Sequence, residues 1–216
     1  GSEGKMCGNG IRCVGKFLYD HGMVDINEKD EITIETLSGI KKLKAYTSGG
    51  KVNRLRVDMG KAILDPKEIP VALDGDKVVD RPVEIAGKNY NITCVSMGNP
   101  HCVVFMDDID NLDIETIGPE FENDKLFPER VNTEFVTVLD DHTIKMRVWE
   151  RGSGETWACG TGACAVAVAA CENGFCKKGE DIKIKLKGGD LIINYTDETV
   201  YMTGNAEKVF EGEVEV

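Results

Sequence analysis

The chain has 216 residues, with 26 lysines and arginines against 38 aspartates and glutamates, and its formal charge is −12. Hydrophobic residues make up 41% and charged residues 30%, a globular composition that excludes wholesale disorder. The acidic balance argues against a nucleic-acid or anionic-membrane partner, because such partners need a basic protein surface. The longest apolar run, residues 163–171, is far shorter than the roughly 20 residues that cross a bilayer. We therefore expect a soluble protein.

Hydrophobic periodicity predicts many short strands and few helices. In chain order, the predicted elements are helix 11–21, strands 32–36, 55–59 and 102–106, helix 112–122, strands 134–139 and 144–148, helix 163–172, and strands 182–186, 191–195 and 199–203. Helix 163–172 is apolar on all sides, which is typical of a helix enclosed by other elements. The first and last helices end at Gly22 and Gly174, residues that favour helix termination.

Eight cysteines occur, and no two of them have the Cys-x-x-Cys spacing of a structural zinc site. We expect no metal and a reducing, cytoplasmic compartment in which most thiols act as small core residues. The cysteines assigned to packing are Cys13, Cys94, Cys102, Cys164, Cys171 and Cys176.

An internal repeat is the most informative feature of the sequence. Residues 7–10 (CGNG) and 159–162 (CGTG) each open a predicted helix, and each cysteine lies 15 residues before the closing glycine. In both copies a strand, a glycine turn and two more strands follow. The repeat predicts two related halves, each with one cysteine at the start of its helix.

This arrangement suits proton transfer at a carbon acid. Glycine lets bare amides approach a ligand, and a helix N-terminus favours both a carboxylate and a thiolate. We therefore expect Cys7 and Cys159 to have lowered pKa values. If the halves face each other across a cleft, one sulfur removes a proton and the other delivers one, which racemises the substrate without a cofactor.

A dinucleotide-binding loop is an alternative, because residues 160–165 match Gly-x-Gly-x-x-Ala. That motif should follow a strand directly within a βαβ unit. Eight residues separate the predicted strand end at Glu150 from Cys159, and hairpins dominate the chain, so we disfavour nucleotide binding.

The segments at 6–13 (MCGNGIRC) and 149–163 (WERGSGETWACGTGA) closely resemble the two signatures of the diaminopimelate epimerase family. Residues 98–101 (GNPH), 129–134 (ERVNTE) and 206–213 are similar to further motifs of that family, in the same order. The resemblance implies an α+β fold of two pseudo-symmetric domains, each a mostly antiparallel β-sheet or barrel wrapped around a central helix. It also implies interconversion of LL- and meso-2,6-diaminoheptanedioate in lysine and peptidoglycan precursor biosynthesis, without pyridoxal phosphate or another cofactor.

The resemblance also implies roles for individual residues. Cys7 and Cys159 match the acid and base, and His101 and Glu150 match groups that tune the thiols. The matched substrate-binding residues are Gly8, Asn9, Asn99, Asn132, Glu150, Arg151, Gly160 and Thr161. Arginine suits a distal carboxylate, because its planar guanidinium pairs with two oxygens at once.

Each polar residue has a structural alternative. Without the resemblance, the sequence favours His101 as a hydrogen-bonded histidine at a strand end, and Asn99 and Asn132 are also suited to be turn residues. Glu150 and Arg151 together are typical of a surface ion pair worth little free energy.

Family members carry a longer segment before the first motif cysteine than the six residues found here before Cys7. We therefore interpret the sequence as a fragment with an incomplete first domain. Residues 1–50 with 205–216 are predicted to form the N-terminal-type half, and residues 51–204 the C-terminal-type half. We expect helix 11–21 to be under-covered and the chain alone to have little activity.

Two other functions stay open. A proline or hydroxyproline racemase shares the duplicated fold. That family, however, has histidine where Asn9 stands and lacks the Glu150–Arg151 pair. The presence of Asn9 and of this pair here favours a substrate with a second charged end. A non-enzymatic thiol redox protein would instead cycle Cys7 and Cys159 through a disulfide. The expected partner is a small amino-acid substrate, with no nucleic acid and no membrane, and a homodimer is the candidate assembly.

Overall fold

The computed structural model describes residues 7–26, 30–37 and 39–214. The chain divides into two compact units, Gly1–Asp58 with Thr203–Val216, and Met59–Met202. We predicted the divisions at 50/51 and 204/205, so the first unit also takes in the strand Lys51–Asp58 and residues 203–204. Residues 1–6, 215 and 216 of the predicted first half, Met6 of the first signature among them, lie outside the described residues.

The first unit packs one helix on a meander of strands. Its elements are α1 (Gly8–Asp20), β1 (Glu31–Thr36), β2 (Gly39–Ser48) and β3 (Lys51–Asp58). Both neighbouring strand pairs are antiparallel, and α1 packs on β3. Gly15 allows close contact there, since a Cβ at this position would lie 2.8 Å from Leu55 Cδ2. The opposite side of α1 exposes Val14 and Phe17, by 45% and 51%. The prediction that this helix is under-covered is confirmed.

The second unit is one mixed sheet with two helices. Its elements are β4 (Arg81–Ile85), β5 (Lys88–Ser96), β6 (Pro100–Phe105), α2 (Ile114–Glu122), β7 (Asn132–Asp140), β8 (Thr143–Glu150), β9 (Gly154–Thr156), α3 (Gly160–Glu172), β10 (Asp181–Leu186), β11 (Gly189–Tyr195) and β12 (Val200–Asn205). The strands follow the order β4-β5-β6-β7-β8-β10-β11-β12, and β9 pairs with β8. The last three residues of β12 belong to the first unit.

Two parallel pairings interrupt the antiparallel hairpins. Strand β6 runs parallel to β7 across α2, and β8 runs parallel to β10 with β9 and α3 between them in sequence. The glycine loop that opens α3 follows the short strand β9, which is antiparallel to β8. The predicted mostly antiparallel α+β fold is confirmed.

Helix α3 is enclosed, as its composition predicts. Ten of its 13 residues are buried, and it contacts β5, β6, β7, β10 and β11. Alanine, valine and cysteine dominate this helix, so strands can approach it from several sides. The helix begins at residue 160, three residues before the predicted start, because the cysteine acts as its N-terminal cap.

The internal repeat is confirmed in the hairpins. Strands β1 and β2 pair from Glu31↔Lys44 to Thr36↔Gly39, and β10 and β11 pair from Asp181↔Asn194 to Leu186↔Gly189. Both hairpins therefore have six paired positions. Strands β4, β5 and β9 were not predicted.

Among the described residues, no helix is long and apolar enough to cross a membrane.

Candidate functional site

The two cysteine loops have the same local geometry. Cys7 caps α1 with φ −126° and ψ 114°, and Cys159 caps α3 with φ −120° and ψ 109°. The Gly10 amide donates to Cys7 Sγ at 3.3 Å, and the Gly162 amide donates to Cys159 Sγ at 3.4 Å. Each sulfur thus satisfies a free amide of the first helical turn and lies at the positive end of the helix dipole.

In the first unit, Arg12 holds the loop that follows Cys7. Its guanidinium donates to Gly8 O at 3.1 Å, to Asn9 Oδ1 at 3.1 Å and to Asn205 O at 3.3 Å. Arg12 is buried, while Cys7 is exposed. The Asn9 side chain, which we predicted to bind substrate, is therefore fixed by a charged residue of its own helix.

In the second unit, four predicted residues form one hydrogen-bonded chain. Cys159 Sγ lies 3.5 Å from Thr161 Oγ1, and Asn99 Nδ2 donates to Thr161 Oγ1 at 3.3 Å. His101 Nε2 lies 3.1 Å from Asn99 Oδ1. His101 is fully buried and is linked to the sulfur through Asn99 and Thr161.

Glu134 extends this chain at its inner end. Its Oε1 lies 2.7 Å from His101 Nδ1, and both side chains are fully buried. The other oxygen, Oε2, is buried without a hydrogen-bond partner. Oε1 also lies against the first turn of α3, since a Cβ at Gly162 would be only 2.6 Å from it.

The pKa of the Cys159 thiol is raised, and the prediction of a lowered pKa is wrong for this residue. Burial is the largest cause, and the charges of Glu134 and Glu150 add to it. The hydrogen bonds from Thr161 and from the Gly162 amide act in the opposite direction but are outweighed. A helix N-terminus favours a thiolate only where the surrounding dielectric and charges allow it.

The remaining predicted residues lie on the segments around β7 and β8. The Arg151 amide donates to Asn132 Oδ1 at 2.9 Å, and its guanidinium donates to Glu129 O at 2.7 Å. Glu150 accepts a hydrogen bond from the Thr156 hydroxyl at 2.5 Å. Asn132 and Arg151, predicted as separate contacts with substrate, are thus bonded to each other.

A buried carboxylate that we did not predict supports this region. Glu122 accepts hydrogen bonds from Arg130 Nη1 at 3.0 Å, from the Gly152 amide at 2.9 Å and from Trp149 Nε1 at 2.7 Å. Because Gly152 directly follows Arg151, Glu122 fixes the turn that presents the Arg151 side chain.

Three supporting residues, Arg12, Glu122 and Glu134, were therefore missed. Only Glu134 had a signal in the sequence, namely a charged residue within a strand whose other residues are mostly apolar. Glu134 lies in strand β7, where residues 132–136 are all buried.

The other cysteines differ in burial. All eight are free thiols, but Cys13 is exposed, so its assignment to packing is wrong. Cys171 is half-buried, and the other four cysteines assigned to packing are buried. Within the described part of the chain, no group of three or more histidine, cysteine, aspartate or glutamate side chains could hold a metal ion.

The sequence is similar to proteins of one family over most of its length. The model of the family described as diaminopimelate epimerase matches residues 1–64 and 93–209. A diaminopimelate epimerase of Agathobacter rectalis is 51% identical over 225 aligned residues, which cover 100% of this chain and 77% of the relative. A diaminopimelate epimerase of Acetivibrio thermocellus is 53% identical over 218 residues, which cover 100% of this chain and 76% of the relative.

A solved structure shares the fold at much lower identity. A probable proline racemase from Agrobacterium radiobacter K84 matches with a TM-score of 0.71 at 16% identity, over 93% of this chain and 65% of that chain. At this identity the likeness concerns the fold alone.

Proposed function

The chain belongs to the diaminopimelate epimerase family, and from that premise we propose that it interconverts LL- and meso-2,6-diaminoheptanedioate in lysine and peptidoglycan precursor biosynthesis. The observation that most supports this activity is the duplicated loop. In each copy a cysteine sulfur accepts a hydrogen bond from a backbone amide of the first helical turn. The reaction needs no cofactor in this scheme, because thiols exchange protons directly.

Inversion at a carbon needs one group that removes the α-proton and another that donates a proton to the opposite face. We assign these roles to Cys7 and Cys159, which exchange them with the direction of the reaction. The reacting carboxylate gains negative charge as the α-proton leaves. Amides of Gly8, Asn9, Gly160 and Thr161 are the groups proposed to stabilise it, since a helix N-terminus favours negative charge.

The second charged end of the substrate is assigned to the region around Arg151. An arginine guanidinium pairs with a carboxylate through two parallel hydrogen bonds, and a glutamate pairs with an ammonium group. Asn132 holds the Arg151 backbone, and Glu122 holds the next residue, so the Arg151 side chain projects from a fixed turn. Asn99, Asn132, Arg151 and Glu150 are therefore proposed to select a substrate with two amino-acid ends.

The resting protonation of Cys159 follows from its surroundings. His101 and Glu150 are proposed to tune the thiols, and in the second unit burial, and after it the charges of Glu134 and Glu150, raise the pKa of Cys159. Cys159 is therefore proposed as a proton donor at rest, which becomes a base only as its surroundings change during the reaction.

We also propose a small amino-acid substrate as the only partner class, since the charge of −12 disfavours nucleic acid. Eight free thiols support a reducing, cytoplasmic compartment. A homodimer stays a prediction that sedimentation velocity would test.

The direct test is incubation with LL-2,6-diaminoheptanedioate in heavy water, with chiral chromatography and mass spectrometry of the product. We expect the meso isomer and one deuterium at the inverted carbon, both above the level given by a Cys7→Ala, Cys159→Ala double variant. Proline and hydroxyproline are tested in parallel. Inversion of proline alone, or oxidation of the thiols without any deuterium uptake, would refute the proposal in favour of a racemase or a redox protein.

A further inference from the structure

The inference concerns the buried pair formed by Glu134 and His101, which lies behind the Cys159 loop. Two oxygens flank the imidazole ring of His101, with Glu134 Oε1 at 2.7 Å from Nδ1 and Asn99 Oδ1 at 3.1 Å from Nε2. A carbonyl oxygen can only accept, so Nε2 must carry a proton. The short contact at Nδ1 needs a second proton, on the ring or on the carboxyl group.

Asn99 lies between His101 and Thr161. Its Nδ2 donates to Thr161 Oγ1 at 3.3 Å, and its carbonyl oxygen faces His101. Because Thr161 Oγ1 accepts that bond, its own proton is free to point at Cys159 Sγ, 3.5 Å away. Every hydrogen bond of the chain then points from His101 toward the sulfur.

The proton count sets the charge beside Cys159. A neutral imidazole with an ionised Glu134 would have one proton fewer, and the pair would carry a net negative charge. With both contacts protonated, the pair is neutral whichever of the two groups holds the shared proton. Full burial favours this neutral arrangement, because an isolated charge is costly away from water.

We propose that Glu134 is a positioning residue that keeps one shared proton on the Glu134–His101 pair, so that His101 always donates to Asn99 and no uncompensated charge faces Cys159 from this side. The proposal deepens the proposed function and rests on it only for the catalytic role of Cys159. The other ionisable groups that act on this pair are Glu150 on β8, Cys159 on α3 and Cys102 on β6.

The test measures the alkylation of Cys159 by iodoacetamide, followed by peptide mass spectrometry, and it requires no substrate. Cys7 in the same sample is the internal standard for reagent and protein quality. The variants are His101→Gln, Glu134→Gln and the double variant. Glu150→Gln is the matched control, because it removes the other carboxylate whose charge acts on Cys159.

We expect His101→Gln to slow the alkylation of Cys159 by about tenfold at the alkaline end of a series from pH 7 to pH 9.5, because glutamine cannot share the proton and the buried Glu134 carboxyl group, once it ionises, faces the sulfur with its charge uncompensated. Adding Glu134→Gln should restore the rate to within about threefold of the wild type, since the charge is then gone. Glu134→Gln alone and Glu150→Gln should not slow the reaction.

A purely structural role predicts a different pattern, in which both single variants are slow and the double variant is no faster. That result, or an unchanged rate in His101→Gln at every pH of the series, would overturn the proposal. Loss of epimerase activity with the predicted alkylation pattern intact would count against the proposed function alone.

A second measurement needs no variant and covers the case in which a variant does not fold. In the wild-type protein labelled with 15N-histidine, the nitrogen chemical shift of His101 Nε2 at pH 7 should be that of a protonated ring nitrogen, because Asn99 Oδ1 can only accept. An unprotonated Nε2 of His101 at pH 7 would refute the shared proton.

Discussion

The two capped helices begin alike and are packed differently. In α1 and α3 the capping cysteine has nearly the same backbone conformation, and its sulfur accepts a hydrogen bond from the amide three residues later. Yet Cys7 is exposed, whereas Cys159 is 5% exposed. Local sequence thus sets the hydrogen bond of the sulfur, while the elements packed around the helix set its solvation and the charges it meets.

The supporting residues differ in the same way. In the first unit a cation, Arg12, holds the loop after Cys7 from within α1 itself. In the second unit the corresponding helix position is Cys164, which is buried, and an acidic residue, Glu134, reaches the loop from β7. Two copies of one motif are therefore supported by side chains of different kinds, a basic one from the helix itself and an acidic one from a neighbouring strand.

The largest effect is expected from removing either sulfur. Cys7→Ala and Cys159→Ala should each lower kcat/KM for epimerisation by about 10²–10⁴-fold, because one face of the substrate loses its proton-transfer group. Cys13→Ala, at an exposed position of α1, is the matched control and should retain wild-type activity. Chiral chromatography measures the rates, and full epimerisation by either single variant would contradict the scheme.

The next largest difference is expected in the rates at which iodoacetamide alkylates the two thiols. At pH 7.5 Cys7 should react at least about tenfold faster than Cys159, since each unit by which a thiol pKa rises lowers its thiolate fraction about tenfold. The pKa of Cys159 is raised by burial and by Glu134 and Glu150, so its rate should still be rising at pH 9. Peptide mass spectrometry across a pH series checks this. A Cys159 profile that reaches its plateau below pH 8 would refute it.

Equivalent glycines in the two loops should respond oppositely to alanine. At Gly162 a Cβ would lie 2.6 Å from Glu134 Oε1 and 3.2 Å from the Cys159 sulfur, and we expect Gly162→Ala to cost about 3 kcal/mol by overpacking. At Gly10 the nearest atoms are those of Cys7 at 3.5 Å, so Gly10→Ala should be neutral or stabilising by up to about 1 kcal/mol. Urea unfolding of both variants measures the difference, and equal free energies of unfolding would disprove it.

A smaller difference is expected between Val166 and Val14, which occupy the same position in α3 and α1. Val166 is fully buried, and Val166→Ala should cost about 2 kcal/mol through lost burial and a residual cavity. Val14 is 45% exposed, and Val14→Ala should change the free energy of unfolding by less than about 0.5 kcal/mol. Thermal unfolding of both variants measures the difference. If Val14→Ala lost as much free energy of unfolding as Val166→Ala, α1 would have to be covered in solution.

Strong periodicity explains which elements the sequence predicted. Alternation in β1 and β10 and the uniformly apolar α3 each follow from a single dominant pattern, and all three were found. Strands β4 and β5 lack that pattern, because polar side chains occupy many of their positions and only one end of β5 is buried throughout. Strand β9 has three residues, too few for any period to be seen.

The candidate site was predictable only where the motif itself carries the chemistry. Each cysteine lies within a few residues of its own glycines, and Asn9 lies among them in the first copy, so the spacing of each loop is visible in the chain. Glu134 and His101 are 33 positions apart, and Glu122 and Gly152 are 30 apart. Such pairs meet only because the strands and helices that carry them are brought together.

The sequence by itself determined the two capped helices, the repeated hairpins and the family to which the chain belongs, because each of these is encoded in contiguous residues. Only the tertiary structure decided that Cys159 lies among carboxylates with its pKa raised, and that His101 and Glu134 share a buried contact. The physical reason is that desolvation and charge depend on what surrounds a group in space. Those surroundings are assembled from distant parts of the chain.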